Sequence, residues 1–213
     1  YAHPLPEGHR FPMLKYEMLP EQLVREGTCQ REQFFAPTRI LDEHIIQTHC
    51  AAYYKQLKQV SLSKKEVRKI GFPLSKELIE RECIIAQGTL AGCEFALKNG
   101  VSFNIAGGTH HAFFDRGEAF CLLNDQAIAA NYLLTTKKAI QILIIDLDVH
   151  QGNGTASLFR NNPNVFTFSM HGKANYPFQK EVSDLDIPLD NNTKDNEYLA
   201  VLRIQLRRLF TTV

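Results

Sequence analysis

The stretch Ile144-Ile-Asp146-Leu-Asp148-Val-His150-Gln-Gly-Asn-Gly154 carries the strongest indication of fold and chemistry in this chain. It continues an apolar run over 141–147 that is typical of a buried strand. A strand continuing through Asp146, Asp148 and His150 would place all three side chains on one face. Ionised carboxylates in an apolar strand are costly unless a metal ion or hydrogen-bond donors compensate them. The pattern predicts a metal site; the alternative is a solvent-exposed strand end with a hydrogen-bonded histidine.

The segments around this stretch alternate between helical and strand patterns. The residue patterns predict helices within 38–60 and over 80–99, 122–134, 155–160 and 195–210, and strands over 101–106, 140–148 and 165–170. The acidic residues of 184–197 are expected in a loop. The alternation is typical of an α/β fold with a central, mostly parallel sheet flanked by helices. Ligands of such sheets bind beyond the carboxyl ends of the strands, where the histidines of this chain collect.

Composition excludes several classes of protein. The 213 residues are 44% hydrophobic and 22% charged, with a net charge of +1, which gives no reason to expect nucleic acid or a membrane as a partner. Five cysteines without a C-x-x-C pair favour free thiols in a reducing cytoplasm. Without repeats or linkers, we expect a single domain over 1–213. Because the chain starts without Met and stops directly after a helical pattern, we expect that domain to be incomplete.

A second polar cluster stands at 107–111, Gly-Gly-Thr-His-His, directly after a predicted strand. Adjacent side chains diverge, so each imidazole needs its own partner. Asp146 and Asn153 are the candidates, which leaves Asp148 and His150 for a metal. The alternative is a loop with two incidental histidines.

The identity of the metal is only partly determined by these residues. One histidine with carboxylates and no nearby cysteine allows Zn²⁺, Mn²⁺ or Fe²⁺. A two-metal site would require more carboxylates directly after His150, but Gln151 and Asn153 at these positions are neutral. One metal ion is therefore favoured over a two-metal, arginase-like hydrolase.

Three blocks together carry a family resemblance: Gly-Gly-Thr-His-His-Ala (107–112), Ala-Phe-Cys-Leu-Leu-Asn-Asp (119–125) and Asp-Leu-Asp-Val-His-Gln-Gly-Asn-Gly (146–154). They resemble the signature blocks of zinc-dependent histone deacetylases, and the Gln-Gly-Asn-Gly ending is similar to class IV members and their bacterial relatives. The resemblance runs from residue 3 to Tyr198. It implies the three-layer arginase/deacetylase-like fold, with a central, mostly parallel sheet flanked by helices.

The resemblance also implies roles for individual residues. Asp148 and His150 would be zinc ligands. His111 would be the general base and later the acid, with Asn153 behind it, and His110 paired with Asp146 would be an electrostatic partner. The aromatic walls around an acyl-lysine stem would be Phe120 and Tyr176. A structural potassium ion would be surrounded by Asp146, Asp148, His150, Ser169 and Met170.

Two departures from the family pattern affect what this chain is expected to do. Asn153 stands where many members have a second Asp, and a neutral amide stabilises an imidazolium less. The third metal ligand and the transition-state tyrosine of the family have no counterpart before Val213. The residues present are therefore expected to form a half-site that retains zinc weakly and has little activity alone.

The function that the resemblance implies is zinc-dependent removal of acetyl or acyl groups from lysine side chains of proteins, or from similar small amines. An acetylpolyamine amidohydrolase, with the same chemistry on a small substrate, is the nearest alternative. A non-catalytic binding module that keeps the fold is a second alternative, from a different class. The oligomeric state is not predicted by the sequence.

Overall fold

The computed structural model describes residues 2–212, with the side chain of Thr212 left out. Eight α-helices and one short 3-10 helix (Arg31–Gln33) lie among these residues. The α-helices are α1 (Lys15–Arg25), α2 (Asp42–Ile46), α3 (Ala51–Lys58), α4 (Lys64–Ile70), α5 (Lys76–Asn99), α6 (Asp125–Thr135), α7 (Asn153–Phe159) and α8 (Asp195–Thr212). The three strands are β1 (Ile142–Asp146), β2 (Val165–Gly172) and β3 (Leu185–Leu189). In the described part of the chain, no helix is both long and apolar enough to cross a bilayer.

The strands form one parallel sheet in the order β1-β2-β3. The register pairs Asp146 with Ser169 across β1 and β2, and Phe168 with Leu185 across β2 and β3. All three strands therefore run toward the same edge, and the segments that follow β1 and β2 meet there.

Helices cover both faces of the sheet. Ile142 and Ile144 of β1 pack into a cluster with side chains of α6 and α7, whereas Leu143 and Ile145 pack into another cluster with side chains of α8. Because side chains alternate between the faces of a strand, these two clusters lie on opposite sides of the sheet. The predicted arrangement of a parallel sheet between helical layers is confirmed.

A larger apolar cluster joins the helices of the first half of the chain. Its most buried side chains come from α2 to α6 and the segments between them, and include Ile45, Tyr54, Leu57, Ile70, Leu78 and Ile128. Burial of such side chains stabilises the fold by about 1.5–3 kcal/mol each. Leu122 and Leu123 of the 119–125 block belong to this cluster, which ties that block to the helices.

The predicted strand over 101–106 is wrong. Instead of a backbone ladder, its side chains bind the backbone of α5: Ser102 Oγ donates to the Gly92 carbonyl at 2.7 Å, and Asn104 Nδ2 donates to the Ile85 carbonyl at 2.9 Å. Within residues 2–212, the segment has no neighbouring strand to pair with. A strand pattern alone cannot supply that neighbour.

The helix predicted within 38–60 is two helices. The chain leaves the helical path between α2 and α3, where the amide of Cys50 donates to the Phe114 carbonyl at 2.7 Å. The helix predicted at 80–99 begins at Lys76 because the Ser75 hydroxyl accepts from the Leu78 amide at 3.1 Å, an N-cap that satisfies one free amide. The predicted helix at 122–134 begins at Asp125, after an Asn124 N-cap.

Two further boundaries matter for the site. The strand predicted over 140–148 ends at Asp146, two residues early. The segment 184–197, expected to be a loop, contains β3 and the start of α8.

Candidate active site

Asp146, Asp148 and His150 lie close together, but not on one strand face. Only Asp146 belongs to β1, and the other two occupy a bend directly after it. The bend is formed by the acids themselves: the amide of Asp148 donates to Asp146 Oδ1 at 3.0 Å, and the amide of His150 donates to Asp148 Oδ1 at 2.7 Å. Short acidic side chains commonly bind the backbone two residues on and so end regular structure.

Asp148 and His150 form a matched pair of donor atoms for a metal ion. Asp148 Oδ1 lies 2.9 Å from His150 Nδ1, and the two side chains are 51% and 41% exposed. Zinc takes oxygen and nitrogen ligands about 2.0–2.2 Å away in tetrahedral geometry, so two ligands of one ion lie about 3.3–3.6 Å apart. Without the ion the two atoms are within hydrogen-bond distance, and they need to separate by only a few tenths of an ångström to share it. The two residues fit a zinc ion as part of its ligand set. Within residues 2–212, no group of three His, Cys, Asp or Glu side chains is arranged to hold a metal.

The Asp148 carboxyl is held in its ionised form. Although burial alone would raise its pKa, the His150 amide and the nearby His110 ring lower the pKa of Asp148 below its usual value. A metal ligand must be deprotonated to bind, so this shift favours a metal ion at the Asp148–His150 pair.

His110 pairs with Asp146 in the buried floor of the site. His110 Nδ1 donates to Asp146 Oδ2 at 2.5 Å, and both side chains are about nine-tenths buried. Burial would lower the pKa of His110, but the hydrogen bond and the charge of Asp146 raise it above the usual value. His110 is therefore the ring of the pair that carries positive charge more readily.

His111 pairs with a neutral group instead. His111 Nδ1 lies 2.6 Å from Asn153 Oδ1, which can only accept, so the ring proton is on Nδ1 and Nε2 is free to take a proton. Burial and the neighbouring His110 lower the pKa of His111 to about 4. The two adjacent imidazoles, with ring centroids 4.1 Å apart, thus differ in proton affinity because their partners differ.

Two glycines allow this close packing. A Cβ atom at Gly152 would overlap Asp146 Oδ2 and press on His110, and a Cβ atom at Gly154 would overlap the backbone of Ala112. The turn into α7 can approach the two histidines only because these positions have no side chain.

Asp125, the last residue of the 119–125 block, fixes the backbone of the histidine loop. Its buried carboxylate accepts from the amides of Gly108 and Thr109 at 3.1 and 2.7 Å, and from the hydroxyls of Thr109 and Thr89 at 2.6 and 2.5 Å. No role for Asp125 was predicted from the sequence. Its place in the 119–125 block was a signal, but its partners lie in two other segments, the histidine loop and α5.

His49 is a second supporting residue that the sequence did not reveal. Its ring is fully buried, with Nδ1 donating to the Phe113 carbonyl at 2.8 Å and Nε2 accepting from the Asn124 amide at 2.9 Å. Asn124 in turn donates to the Ala112 carbonyl at 3.3 Å. These bonds join the histidine loop to the start of α6, and no local motif around His49 indicates them.

A cavity of about 530 Å³ opens beside the paired residues, and Phe120 and Tyr176 both lie on its wall. Phe120 packs against Phe11 and Phe72, with ring centroids 5.1 Å away in each case. Tyr176 stands edge-on to His111, with centroids 5.0 Å apart, and its hydroxyl donates to Glu118 Oε2 at 2.9 Å. Glu118 is a further site residue that was not predicted from the sequence.

The residues expected around potassium lie on the same sheet edge. Ser169 and Met170 are buried in β2, and Ser169 is the register partner of Asp146. Asp148 and His150 follow in the bend. Their role in cation binding remains a prediction.

Known proteins resemble this chain both in sequence and in structure. The histone deacetylase domain profile matches residues 9–212. An uncharacterized protein of Picosynechococcus is 42% identical over 213 residues, which are all of this chain and 71% of that protein. The acetoin utilization protein AcuC of Bacillus subtilis is 32% identical over 145 residues, which are 62% of this chain and 37% of AcuC.

Among solved structures, a histone deacetylase homologue from Aquifex aeolicus superposes with a TM-score of 0.83 at 24% identity, over all of this chain and 62% of that one. A histone deacetylase homologue complexed with SAHA gives a TM-score of 0.83 at 25% identity, over 98% of this chain and 62% of that one. These likenesses show the fold. The chain spans less than two thirds of the length of both structures and of AcuC.

Proposed function

This chain belongs to the histone deacetylase family, and from that membership we propose that its residues form part of the active site of a zinc-dependent amidohydrolase. The reaction is removal of acetyl or longer acyl groups from lysine side chains of proteins or from similar small amines. The observation that carries the proposal is the pair of adjacent histidines with different partners, Asp146 and Asn153, beside two aligned metal donors.

Asp148 and His150 would hold the zinc ion, which would supply an activated water molecule at neutral pH. His111 is the proton acceptor, because its Nε2 is free and its low pKa keeps the ring neutral. His110 keeps positive charge near the reacting group, since Asp146 raises its pKa. A neutral ring can accept a proton, and a positively charged neighbouring ring stabilises negative charge that develops on the substrate.

Phe120 and Tyr176 would contact the aliphatic stem of the substrate. Both rings line the cavity that contains the histidines, although Tyr176 also packs on His111 and Phe120 on a separate aromatic cluster. An acylated amine is a long apolar stem ending in an amide, which suits aromatic walls leading to polar groups. We propose potassium as a second, structural cation at the carboxyl end of the sheet. We also propose the cytoplasm as the location of the protein, because the described cysteines are all free thiols.

The test begins with zinc. Titration with Zn²⁺, followed by histidine NMR and by competition with a chromophoric chelator, should show one weak site per chain that shifts the His150 ring. Asp148→Ala and His150→Ala should each abolish the site, whereas Asp115→Ala, at an exposed acid, should not. Two equivalents of zinc would instead favour a two-metal hydrolase.

Substrate recognition is tested on the zinc-loaded chain. An acetyl-lysine peptide should perturb the Tyr176 and Phe120 rings more than the same peptide without the acetyl group, and Phe120→Ala should weaken the difference. With two ligands present, we expect little hydrolysis by this chain alone. Equal binding of both peptides would contradict the proposed substrate class.

A further inference from the structure

The segment 173–180 follows β2 and carries Tyr176 on the wall of the cavity. Its backbone turns around the ammonium group of Lys180. Lys180 Nζ donates to the carbonyls of Asn175 and Pro177 at 2.6 Å each and to the carbonyl of Lys173 at 3.3 Å. One lysine from the end of the segment thus binds three carbonyl oxygens from its beginning and middle.

This arrangement differs from an ordinary surface lysine. An ammonium has three N–H donors, and all three are used here on backbone carbonyls of one short segment. None of the ion pairs among the described residues includes Lys180, so carbonyl dipoles, and not a carboxylate, solvate its charge. Three converging carbonyl oxygens are also the kind of ligand set that binds a small monovalent cation.

The ends of the segment are held by other contacts. At its start, the Gly172 amide donates to the Val149 carbonyl at 2.9 Å and the Lys173 amide to the Leu189 carbonyl at 2.8 Å. At its end, the Gln151 side chain both donates to the Glu181 carbonyl at 2.8 Å and accepts from the Glu181 amide at 2.9 Å. Gln151 directly follows the candidate metal ligand His150, so both ends are fixed to the candidate site.

In the middle of the segment the Tyr176 side chain contacts Glu118 and His111, but the backbone around it has few other hydrogen bonds. The Asn175 amide donates to the Gly172 carbonyl at 3.1 Å, and Phe178 is 92% exposed. Lys180 therefore supplies most of the contacts that fix the backbone on either side of Tyr176.

We propose that Lys180 is a positioning residue, whose ammonium is the internal cation that shapes the 173–177 backbone and holds Tyr176 against His111. The claim that Tyr176 contacts substrate rests on the proposed function. The claim that Lys180 orders the segment is independent of that function. If Lys180 acts as a cation, a small cation added from solution should replace it once the side chain is removed.

The test uses four variants of the whole chain. Lys180→Ala removes the ammonium and opens space, Lys180→Met keeps the stem without the charge, and Lys180→Arg keeps the charge. Lys173→Ala is the matched control, because its side chain lies in the same segment but is 67% exposed. Two readouts are followed by NMR: hydrogen exchange of the Asn175 amide, and the ring shifts of Tyr176, which report its contact with His111.

In Lys180→Ala and Lys180→Met, the Asn175 amide should exchange about tenfold faster or more, since charge-assisted hydrogen bonds are lost. The Tyr176 ring should lose its shift from His111. In Lys180→Ala, methylammonium or potassium should restore both readouts, whereas tetramethylammonium, which has no N–H donor and is larger, should not. Lys180→Arg should retain part of the protection, and Lys173→Ala should behave as the wild type.

Unchanged exchange and ring shifts in Lys180→Met would overturn the proposal. Faster Asn175 exchange in Lys180→Ala that neither methylammonium nor potassium reverses would also overturn it. Binding of the acetyl-lysine peptide is measured separately. Cation rescue without any acyl-dependent binding would support the positioning role and count against the proposed function instead.

Discussion

The ring nitrogen Nδ1 of His111 lies 2.6 Å from the amide oxygen of Asn153. Because that oxygen can only accept, it fixes the tautomer of the ring and leaves Nε2 basic and free. Because it is neutral, it does not stabilise the imidazolium as a carboxylate would, and the pKa of His111 stays at about 4. Asn153 thus sets the tautomer of the candidate base, whereas burial and the neighbouring His110 lower its pKa further than the neutral Asn153 can offset.

Asn153→Asp should raise the pKa of His111. A carboxylate beside a partly buried imidazole typically raises its pKa by about 1–3 units. Histidine NMR of the metal-free protein measures the shift directly, and Asn161→Asp, at an exposed position, is the control. In a catalytically complete form the acidic limb of the pH–rate profile should move upward with the pKa. A His111 that titrates as in the wild type would contradict the role given to Asn153.

Asp125→Asn should destabilise the protein by about 2–4 kcal/mol, because an amide cannot accept from all the donors that converge on this carboxylate. Thr89→Val removes one of these donors and should cost about 1 kcal/mol. Urea unfolding measures both changes. Asp115→Asn, at an exposed acid, should stay within about 0.5 kcal/mol of the wild type. A loss that small for Asp125→Asn would show that the carboxylate does not fix the histidine loop.

Gly71→Ala should be more destabilising than Gly100→Ala, although both glycines have positive φ, +85° and +94°. Both substitutions place a Cβ in the left-handed region, at a cost of about 1–2 kcal/mol. Only at Gly71 would the new Cβ also lie 2.9 Å from the Phe120 ring, with open space around Gly100. The difference in unfolding free energy isolates the Phe120 contact, and ring shifts of Phe120 should change in Gly71→Ala alone. An equal loss of unfolding free energy in the two variants would show that a Cβ at residue 71 does not press on the Phe120 ring.

Because His49 is buried, the free energy of unfolding should decrease as the pH falls from about 6.5 toward 4. Burial lowers the pKa of His49 to about 4, so over this range the unfolded chain takes up a proton that the folded protein does not. At about 1.4 kcal/mol per pH unit, the unfolding free energy should fall by on the order of 3 kcal/mol. His49→Gln should reduce this slope, measured by urea unfolding at several pH values between about 6.5 and 4. Identical slopes in the two proteins would show that His49 does not couple to folding.

Local patterns predicted much of the sheet and its helices correctly. The apolar run before Asp146 and the run at 165–170 both form strands, because residues buried on both faces must be apolar whatever their neighbours are. The segment 101–106 has a similar pattern but no strand beside it among residues 2–212. Strand formation depends on a partner as well as on composition, and composition is all that a short segment contains.

In the candidate site, too, some features follow from the sequence and others from the tertiary structure. The sequence by itself determined the residue types and spacing at 107–111 and 146–154, and these were sufficient to indicate a metal and two histidines that need partners. The family resemblance already pairs His110 with Asp146 and places Asn153 behind His111, and the structure brings both pairs into contact. Only the tertiary structure decided that Asp125 and His49 support the histidine loop, and that the pKa values of the two histidines shift in opposite directions. Chemical character belongs to a residue wherever it lies, whereas proton affinity depends on burial and on contacts between residues far apart in the chain. Those contacts exist only once the chain has folded.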